Sequence, residues 1–183
     1  MVMREVLQFP DPRLKRVCEP ITEVTHAVRQ LARDMCEVLY YELGIGLAAP
    51  QLGEEVRLIV VDTEWNEQGA KRNPLILLNP ELTWTQRPIF WKESCLSVPD
   101  FTADVERFER VAVHGSDLGG TAIIEEAKGL RAVCLQHEID HLDGILFIDR
   151  ISRLKRSMYV RRRRKQLRAE REEGAKRAHG RGL

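Results

Sequence analysis

Two stretches of the chain repeat apolar residues with the period of an α-helix. In the first, which covers 25–43, Val28, Leu31 and Met35 share one face. In the second, one face is formed by Leu130, Val133, Cys134, His137, Glu138 and His141. The first pattern predicts an ordinary amphipathic helix. The second begins apolar and ends in three polar groups, which indicates a helix that carries reactive side chains at its C-terminal end.

The second helix has two further sides. A second apolar flank consists of Leu135, Ile139 and Leu142. The remaining side, which we expect to face water, holds Gln136, Asp140 and Asp143. Gly144 stands where a helix commonly ends in a left-handed cap, and the apolar residues 145–148 after it are predicted to form a short extended segment.

Short apolar runs that are typical of strands occupy the rest of the first 130 residues, at 57–62, 75–79, 88–91, 111–116 and 121–126. Leu118-Gly119-Gly120, between the last two runs, predicts the turn of a hairpin. Together these elements predict an α+β fold in which antiparallel strands wrap around a central helix.

The composition is that of one globular domain. With 183 residues, of which 43% are hydrophobic, the chain is long enough to bury one sizeable core. It has no run of about 18 apolar residues that could span a membrane, and its first residues lack the layout of a signal peptide. The cysteines at 18, 36, 95 and 134 form no paired framework, so we expect a cytoplasmic protein.

Charge divides the chain into two parts. Residues 153–183 hold 13 Lys or Arg and 3 Asp or Glu, while the whole chain has a net charge of only +1, so residues 1–152 carry −9. We predict a globular domain over 1–152 and a basic segment over 153–183, helical from Leu154 to about Glu173 and frayed beyond. Such a segment indicates an anionic partner, or else a solvated helix that only aids solubility.

The segment Gln136-His137-Glu138-Ile139-Asp140-His141 contains an H-E-x-x-H pattern. Two His residues four positions apart share one helical face and can hold one metal ion, and the Glu beside the first His reaches a water molecule at that ion. The pattern indicates a metal-dependent hydrolase. Two ordinary His residues of an amphipathic helix are the alternative.

A catalytic site of this kind usually has three protein ligands. Downstream candidates for the third are poor, because Asp149 follows a Gly break and His179 lies in the basic segment. Upstream, Cys95 lies in a short segment bounded by Pro99. One sulfur and two imidazole nitrogens suit zinc or ferrous iron, whereas Cys95 taken alone is better explained as an inert buried thiol.

A third segment, GIGLAAPQ at 44–51, follows the first predicted helix and by itself predicts only a tight turn. Together with ESCLS at 93–97 and QHEIDHLDG at 136–144, it resembles three motifs of peptide deformylase. Those motifs are Gly-x-Gly-x-Ala-Ala-x-Gln, Glu-Gly-Cys-Leu-Ser and Gln-His-Glu-x-Asp-His, and they occur here in the same order. The resemblance extends from about Val6 to Ile151.

This resemblance implies hydrolysis of the N-terminal formyl group of formyl-methionyl nascent polypeptides, with release of formate. The metal ligands would be Cys95, His137 and His141. The ion would be Fe²⁺ in the cell, with Zn²⁺, Ni²⁺ or Co²⁺ able to replace it. Glu138 would be the general base, and Gln51 and the backbone N–H of Leu96 would donate hydrogen bonds to the developing negative charge.

The resemblance and the helical facing together imply a pocket for the methionine side chain. Its walls would be Ile45, Leu130, Val133, Cys134 and the ring of His137. Gly46 would hydrogen-bond the peptide backbone, so that the substrate adds a strand in the cleft. Separately from the resemblance, Glu93 and Arg107 could pair and fix the Cys95 segment; a solvated surface charge is the alternative for each of them.

One residue departs from the family pattern, since Ser94 stands where the family has Gly. If that position required a positive φ, Ser would cost about 1 kcal/mol or more. We expect activity to survive because the metal ligands and the general base are intact.

The basic segment 153–183 resembles the C-terminal helix with which bacterial members of the family dock on the ribosome, where it would contact RNA phosphate. Two other functions fit parts of the sequence. A general metalloprotease would share the helix, but the Cys95 ligand and the GIGLAAPQ loop argue against it. An RNA-binding module with a structural metal would need a fourth protein ligand, which the sequence near these three does not offer.

Overall fold

The computed structural model describes residues 4–68 and 70–179, with side chains as far as residue 173. The chain divides into two compact units, Met1–Phe147 and Ile148–Leu183. The boundary predicted from charge, between residues 152 and 153, lies close to this division.

The first unit contains one antiparallel sheet in which the strand order follows the chain. The strands are β1 (Gly46–Ala48), β2 (Leu58–Val61), β3 (Leu75–Cys95), β4 (Val98–Ser116) and β5 (Ala122–Lys128). At the turn between β4 and β5, the Asp117 carboxylate accepts from the N–H groups of Gly119 and Thr121 at 2.7 and 2.8 Å. The predicted α+β class and the predicted hairpin are confirmed.

Strand β3 joins two runs that the hydrophobic pattern predicts as separate strands, 75–79 and 88–91. The residues between them are mostly exposed and include Pro80. Leu82 and Trp84 alternate there with Thr83 and Thr85, a short strand pattern that the predicted runs leave out. They are held by pairing along β4, with irregularities near Glu81 and Trp84. The long hairpin places Cys95 at its closed end, opposite Val98.

Helix α1 spans His26–Tyr41 and confirms the first predicted helix. It begins after Thr25, whose hydroxyl accepts from the Val28 N–H at 3.3 Å, and such a cap satisfies one of the free N–H groups of the first turn. The buried face of α1 packs in a hydrophobic cluster with residues of β1 and β2. That face consists of Leu31, Ala32, Met35, Val38 and Leu39.

Helix α2 spans Gly129–Leu142, and its residues from Ala132 onward are all buried. It packs against β2 and β4 in the core, where the cluster includes Leu135, Ile139, Leu142, Ile59, Val61, Val111 and Val113. Gly144 follows with φ 69°, as predicted for a left-handed cap.

Two expectations for this region are wrong. Gln136 and Asp140 are buried, whereas only Asp143 of the predicted polar side is exposed. Gln136 exchanges hydrogen bonds with the backbone of Phe108 at 2.9 and 2.8 Å, so it needs no water. Residues 145–148 are not extended, because the Ile145 N–H bonds back to the Asp140 carbonyl at 2.8 Å and a 3₁₀-helix follows at Phe147–Asp149.

In the second unit, helix α3 spans Arg153–His179. The predicted helix is confirmed, but the backbone from Gly174 to His179 is helical where fraying was expected; residues 180–183 lie outside the described part. Among the described helices, none is both long enough and apolar enough to cross a membrane.

Candidate metal centre

Three metal-binding side chains meet beside a cleft in the first unit, and we call Cys95, His137 and His141 the ligand triad. Cys95 ends β3, and the two His residues lie one turn apart on α2. Cys95 Sγ is 3.3 Å from His141 Nε2, and the three ligand atoms lie within 4.8 Å of one another. Ligand atoms around a tetrahedral ion with bonds of about 2.0–2.3 Å are about 3.5 Å apart. The ligand triad therefore fits one metal ion.

The number of protein ligands is that of a catalytic site. Within residues 4–68 and 70–179, the ligand triad is joined by no fourth His, Cys, Asp or Glu. Asp149 is not part of it, and the side chain of His179 lies outside the described residues. Structural zinc-type sites usually have four protein ligands, whereas catalytic sites have three.

Behind His137, buried side chains form a charge network of Glu93, Arg107, Asp140 and His137 itself. His137 Nδ1 lies 2.7 Å from Glu93 Oε2. Arg107 donates to both oxygens of Glu93 at 2.6 and 3.1 Å and to Asp140 Oδ2 at 2.6 Å. Since Glu93 accepts the Nδ1 proton, His137 keeps the lone pair of Nε2 for a metal ion.

Burial and neighbouring charges shift the pKa values of Glu93 and His137 in the charge network, and also the pKa of His141. Burial opposes ionisation of Glu93, but hydrogen bonds from His137 and Arg107 outweigh it and lower the pKa of Glu93 to about 2. Burial lowers the pKa of His141 well below its ordinary value, which favours the neutral imidazole that metals bind. For His137, burial also acts downward, but interactions with Cys95 and Glu93 raise its pKa well above the ordinary value.

Glu138, next to His137 on α2, is buried. Its Oε2 has no hydrogen-bond partner among the described residues. Burial raises the pKa of Glu138 to about 7, and the charge of His137 opposes this rise. A carboxyl group that titrates near neutrality can both accept and release a proton.

Gly46 lies against this carboxyl group. A Cβ added at Gly46 would overlap Glu138 Oε1 and would lie 2.5 Å from Cys134 Sγ and 2.9 Å from Glu138 Cδ. Only glycine lets β1 approach α2 this closely. The second glycine of GIGLAAPQ is therefore explained by the space that Glu138 occupies.

Gln51, the last residue of the GIGLAAPQ segment, is buried in a short 3₁₀-helix, Ala49–Leu52. Its Oε1 accepts from the Ala48 N–H at 2.8 Å, which fixes the orientation of the side-chain amide. Nε2 is 3.1 Å from Ser97 Oγ and 3.7 Å from Cys95 Sγ. The amide donor thus lies beside the ligand triad. Leu96 follows Cys95 in the turn between β3 and β4.

The adjoining cleft has a volume of about 860 Å³, within the usual range of ligand pockets. Its lining includes every residue predicted to bind substrate, namely Ile45, Gly46, Leu130, Val133 and Cys134. Leu130 is 40% exposed, whereas Val133 and Cys134 are 3% and 4% exposed. The apolar lining of the cleft therefore extends from the exposed Leu130 to the buried Val133 and Cys134.

Comparison with known proteins decides the family. The family model described as polypeptide deformylase matches residues 3–157. A peptide deformylase of Bartonella tribocorum is 46% identical over 167 residues, which cover 90% of this chain and 93% of that protein. The chain belongs to the polypeptide deformylase family.

Solved deformylase structures share the fold. The peptide deformylase of Legionella pneumophila matches with a TM-score of 0.83 and 38% identity, over 92% of this chain and 98% of that one. That of Ehrlichia chaffeensis in complex with actinonin matches with a TM-score of 0.84 and 34% identity, over 91% and 98%. Peptide deformylases are hydrolases that use one divalent metal ion to remove the formyl group of nascent peptides. The family, fold class and activity predicted from the sequence are confirmed.

Ser94, the residue that departs from the deformylase motif, is not strained. The described non-glycine residues with positive φ are Leu43, Asn79, Arg87 and Asp100. Ser94 lies in β3 at the register irregularity between Glu93 and Cys95, exposed at the wall of the cleft. The cost considered for a serine with positive φ therefore does not arise.

Sequence reasoning missed three residues around the deformylase centre. Asp140 was expected to face water, yet it anchors Arg107. Ser97 lies beside the Gln51 amide. Phe147 stacks on His137 with ring centroids 6.2 Å apart. Asp140 and Ser97 stand within the matched motifs. No local pattern predicts the contact of Phe147 with His137, because it depends on the path of the chain after Gly144.

Proposed function

We propose that the ligand triad holds the catalytic ion and that Glu138 is the general base in hydrolysis of formyl-methionyl peptides. The convergence of one sulfur and two imidazole nitrogens beside the buried carboxyl group of Glu138 carries this assignment. A divalent ion held there lowers the pKa of water to about 7 and polarises a carbonyl group.

The pKa of Glu138 suits a group that first accepts a proton and later donates it. At neutral pH its carboxylate accepts the proton of the attacking water, while the hydroxyl joins the formyl carbon. When the C–N bond breaks, Glu138 returns that proton to the departing amine, and formate and the free N-terminus are released. A group with a pKa of about 7 is matched to both transfers.

Gln51 and Leu96 are proposed to stabilise the negative charge that develops on the formyl oxygen. The bond from the Ala48 N–H to Gln51 Oε1 holds the amide so that Nε2 faces the Cys95 sulfur. The backbone N–H of Leu96 follows in the adjoining turn. Removing one such donor typically costs about 10²–10³ in rate.

Formate release from formyl-Met-Ala-Ser, measured under anaerobic conditions with Fe²⁺, tests the assignment. Glu138→Ala is expected to keep the bound metal and the melting temperature but to lose turnover. Glu126→Ala removes an exposed glutamate of β5 and is expected to retain full activity. A fully active Glu138→Ala variant would show that another group is the base.

We further propose Fe²⁺ as the cellular ion, because a thiolate with two imidazoles suits ferrous iron as well as zinc. The cysteines among the described residues are free, and a thiolate ligand needs a reducing compartment, which supports a cytoplasmic location. Metal analysis of protein purified anaerobically from its own cells tests the choice of ion. Zinc at full occupancy with full activity would contradict it.

The methionine side chain is proposed to enter the part of the cleft that is lined by Ile45, Val133 and Cys134. These walls are apolar, Val133 and Cys134 are buried and Ile45 is partly buried, so an unbranched apolar side chain gains by burial there. Comparing kcat/KM for formyl-Met and formyl-Asp peptides tests the pocket. Equal values would contradict it.

We propose that α3 binds ribosomal RNA. Arg161, Arg162, Arg164 and Lys165 are exposed, whereas Arg163 is buried, so positive charge covers most but not all of this turn. Binding through phosphate contacts weakens steeply with salt. Replacing the four exposed residues by Ser should flatten the salt dependence of ribosome co-sedimentation and leave hydrolysis of a free formyl peptide unchanged. Unaltered ribosome binding would refute the proposal.

A further inference from the structure

Strand β1 forms the edge of the sheet beside the cleft, and the cleft lining includes Gly44, Ile45 and Gly46. The Ile45 carbonyl accepts from the Asp62 N–H at 2.9 Å, so Ile45 bonds inward toward β2. In an antiparallel pair, alternate residues direct their N–H and C=O groups to opposite edges. Gly46 and Ala48 consequently present one of these groups or both on the free edge.

Side chains occupy the backbone groups on either side of Gly46. The Trp65 indole N–H donates to the Gly44 carbonyl at 2.8 Å, and Gln51 Oε1 accepts from the Ala48 N–H at 2.8 Å. A peptide that pairs with this edge is thereby left with Gly46 as its anchor. Gly46 also abuts Glu138, so this anchor lies next to the proposed base.

Trp65 is held firmly although it lies in the loop after β2. Its ring meets Tyr40 edge to face, with centroids 5.3 Å apart at 77°, and the Arg72 guanidinium lies 4.3 Å above the Tyr40 ring and 5.8 Å from that of Trp65. The Tyr40 hydroxyl donates to Asp62 Oδ2 at 2.8 Å. These contacts hold the loop against the C-terminal end of α1 and the end of β2. Helix α1 precedes β1 in the chain, and β2 pairs with β1.

We propose that Trp65 is a positioning residue that fixes the register of the formylated peptide on β1. This proposal rests on the proposed function, since it concerns how the formylated peptide is aligned. Trp65 is not among the residues that line the cleft, so it acts through the Gly44 carbonyl. By bonding that carbonyl, it orients the Gly44–Gly46 backbone and removes an acceptor with which a peptide could pair two residues out of register.

Trp65→Phe tests the proposal, because it removes the N–H donor and keeps a ring against Tyr40. A neutral hydrogen bond contributes about 0.5–1.5 kcal/mol, so KM for formyl-Met-Ala-Ser is expected to rise about 2- to 13-fold. The change in kcat should be smaller than the change in KM. Trp84→Phe is the matched control, since Trp84 is 48% exposed on β3 and outside the cleft lining; its KM should not change.

A second variant separates the hydrogen bond from packing. Benzothienylalanine at position 65 keeps the bicyclic shape and lacks the N–H, so it should raise KM as phenylalanine does. If both variants keep the wild-type KM, the proposal is overturned, whether or not the melting temperature falls. A lower kcat at unchanged KM would overturn it as well. Absence of formate release by the wild-type protein would instead overturn the proposed function, and this inference with it.

Discussion

Replacing Gly46 by alanine tests how closely β1 and α2 must approach for catalysis. The added Cβ would overlap Glu138 Oε1 and lie 2.5 Å from Cys134 Sγ, whereas ordinary contacts at such positions begin at 3.4 Å. The Cys134 sulfur would have to move by about 1 Å, and Glu138 with it. Both side chains are buried, so neither can turn into solvent.

The size of the effect follows from that displacement. A misplacement of about 1 Å at a reacting group can cost about 10²-fold in rate, which corresponds to about 2.7 kcal/mol of transition-state stabilisation. Overpacking a core contact costs about 1–3 kcal/mol of folding stability. We therefore expect kcat/KM to fall about 100-fold, while the protein still folds and binds metal because the ligand triad is untouched.

The assay is formate release, with metal content and thermal unfolding measured on the same samples. Gly119→Ala is the control, since Gly119 lies in the exposed turn between β4 and β5 and an added Cβ would meet only the side chain of Asp117. That variant should match wild type in kcat/KM. Wild-type activity of Gly46→Ala would refute the reasoning, because it would mean that Glu138 tolerates displacement or takes no part in the reaction.

Three further predictions concern the charge network and the metal. Arg107→Met removes the guanidinium that pairs with the buried carboxylates of Glu93 and Asp140 and should destabilise the protein by about 3–5 kcal/mol in urea unfolding. Arg131→Met breaks a partly exposed pair with Glu125 and should cost at most about 1 kcal/mol. Glu93→Gln weakens the acceptor at His137 Nδ1 and should lower metal affinity about 10- to 100-fold in competition with a chelator; unchanged affinity would contradict the role of Glu93. Complete chelation should abolish formate release, and anaerobic Fe²⁺ should restore it; activity that survives verified metal removal would contradict a metal-dependent mechanism.

The elements that sequence predicts well are those whose signal is local. The stripe through Leu130 and His141 marks α2 because a helix repeats its buried face at a fixed spacing. Gly144 marks its end because a left-handed residue favours glycine. In contrast, Cys95 was assigned to the same metal site as the two His residues because the motif ESCLS resembles a motif of a known family. No spacing rule connects a residue on β3 to one on α2.

What the sequence could not predict depends on tertiary pairing. The middle of β3 is mostly exposed and includes Pro80, so no buried apolar face marks it, and pairing with β4 holds it in the sheet. Gln136 and Asp140 have the polarity of surface residues, and their burial becomes favourable only when the Phe108 backbone and Arg107 supply partners. The Trp65–Gly44 bond has no sequence signal, because an indole that bonds a backbone carbonyl twenty-one residues away leaves no periodic pattern.

The contacts behind the ligand triad also join the elements that carry it. Arg107 on β4 bonds Glu93 on β3 and Asp140 on α2, while Cys95 ends β3 and His137 lies on α2. The elements that carry the sulfur and imidazole ligands are therefore joined by one guanidinium. Loosening this junction should separate the ligands before the fold itself is lost, so metal affinity should respond to mutations in the charge network more sensitively than secondary structure does.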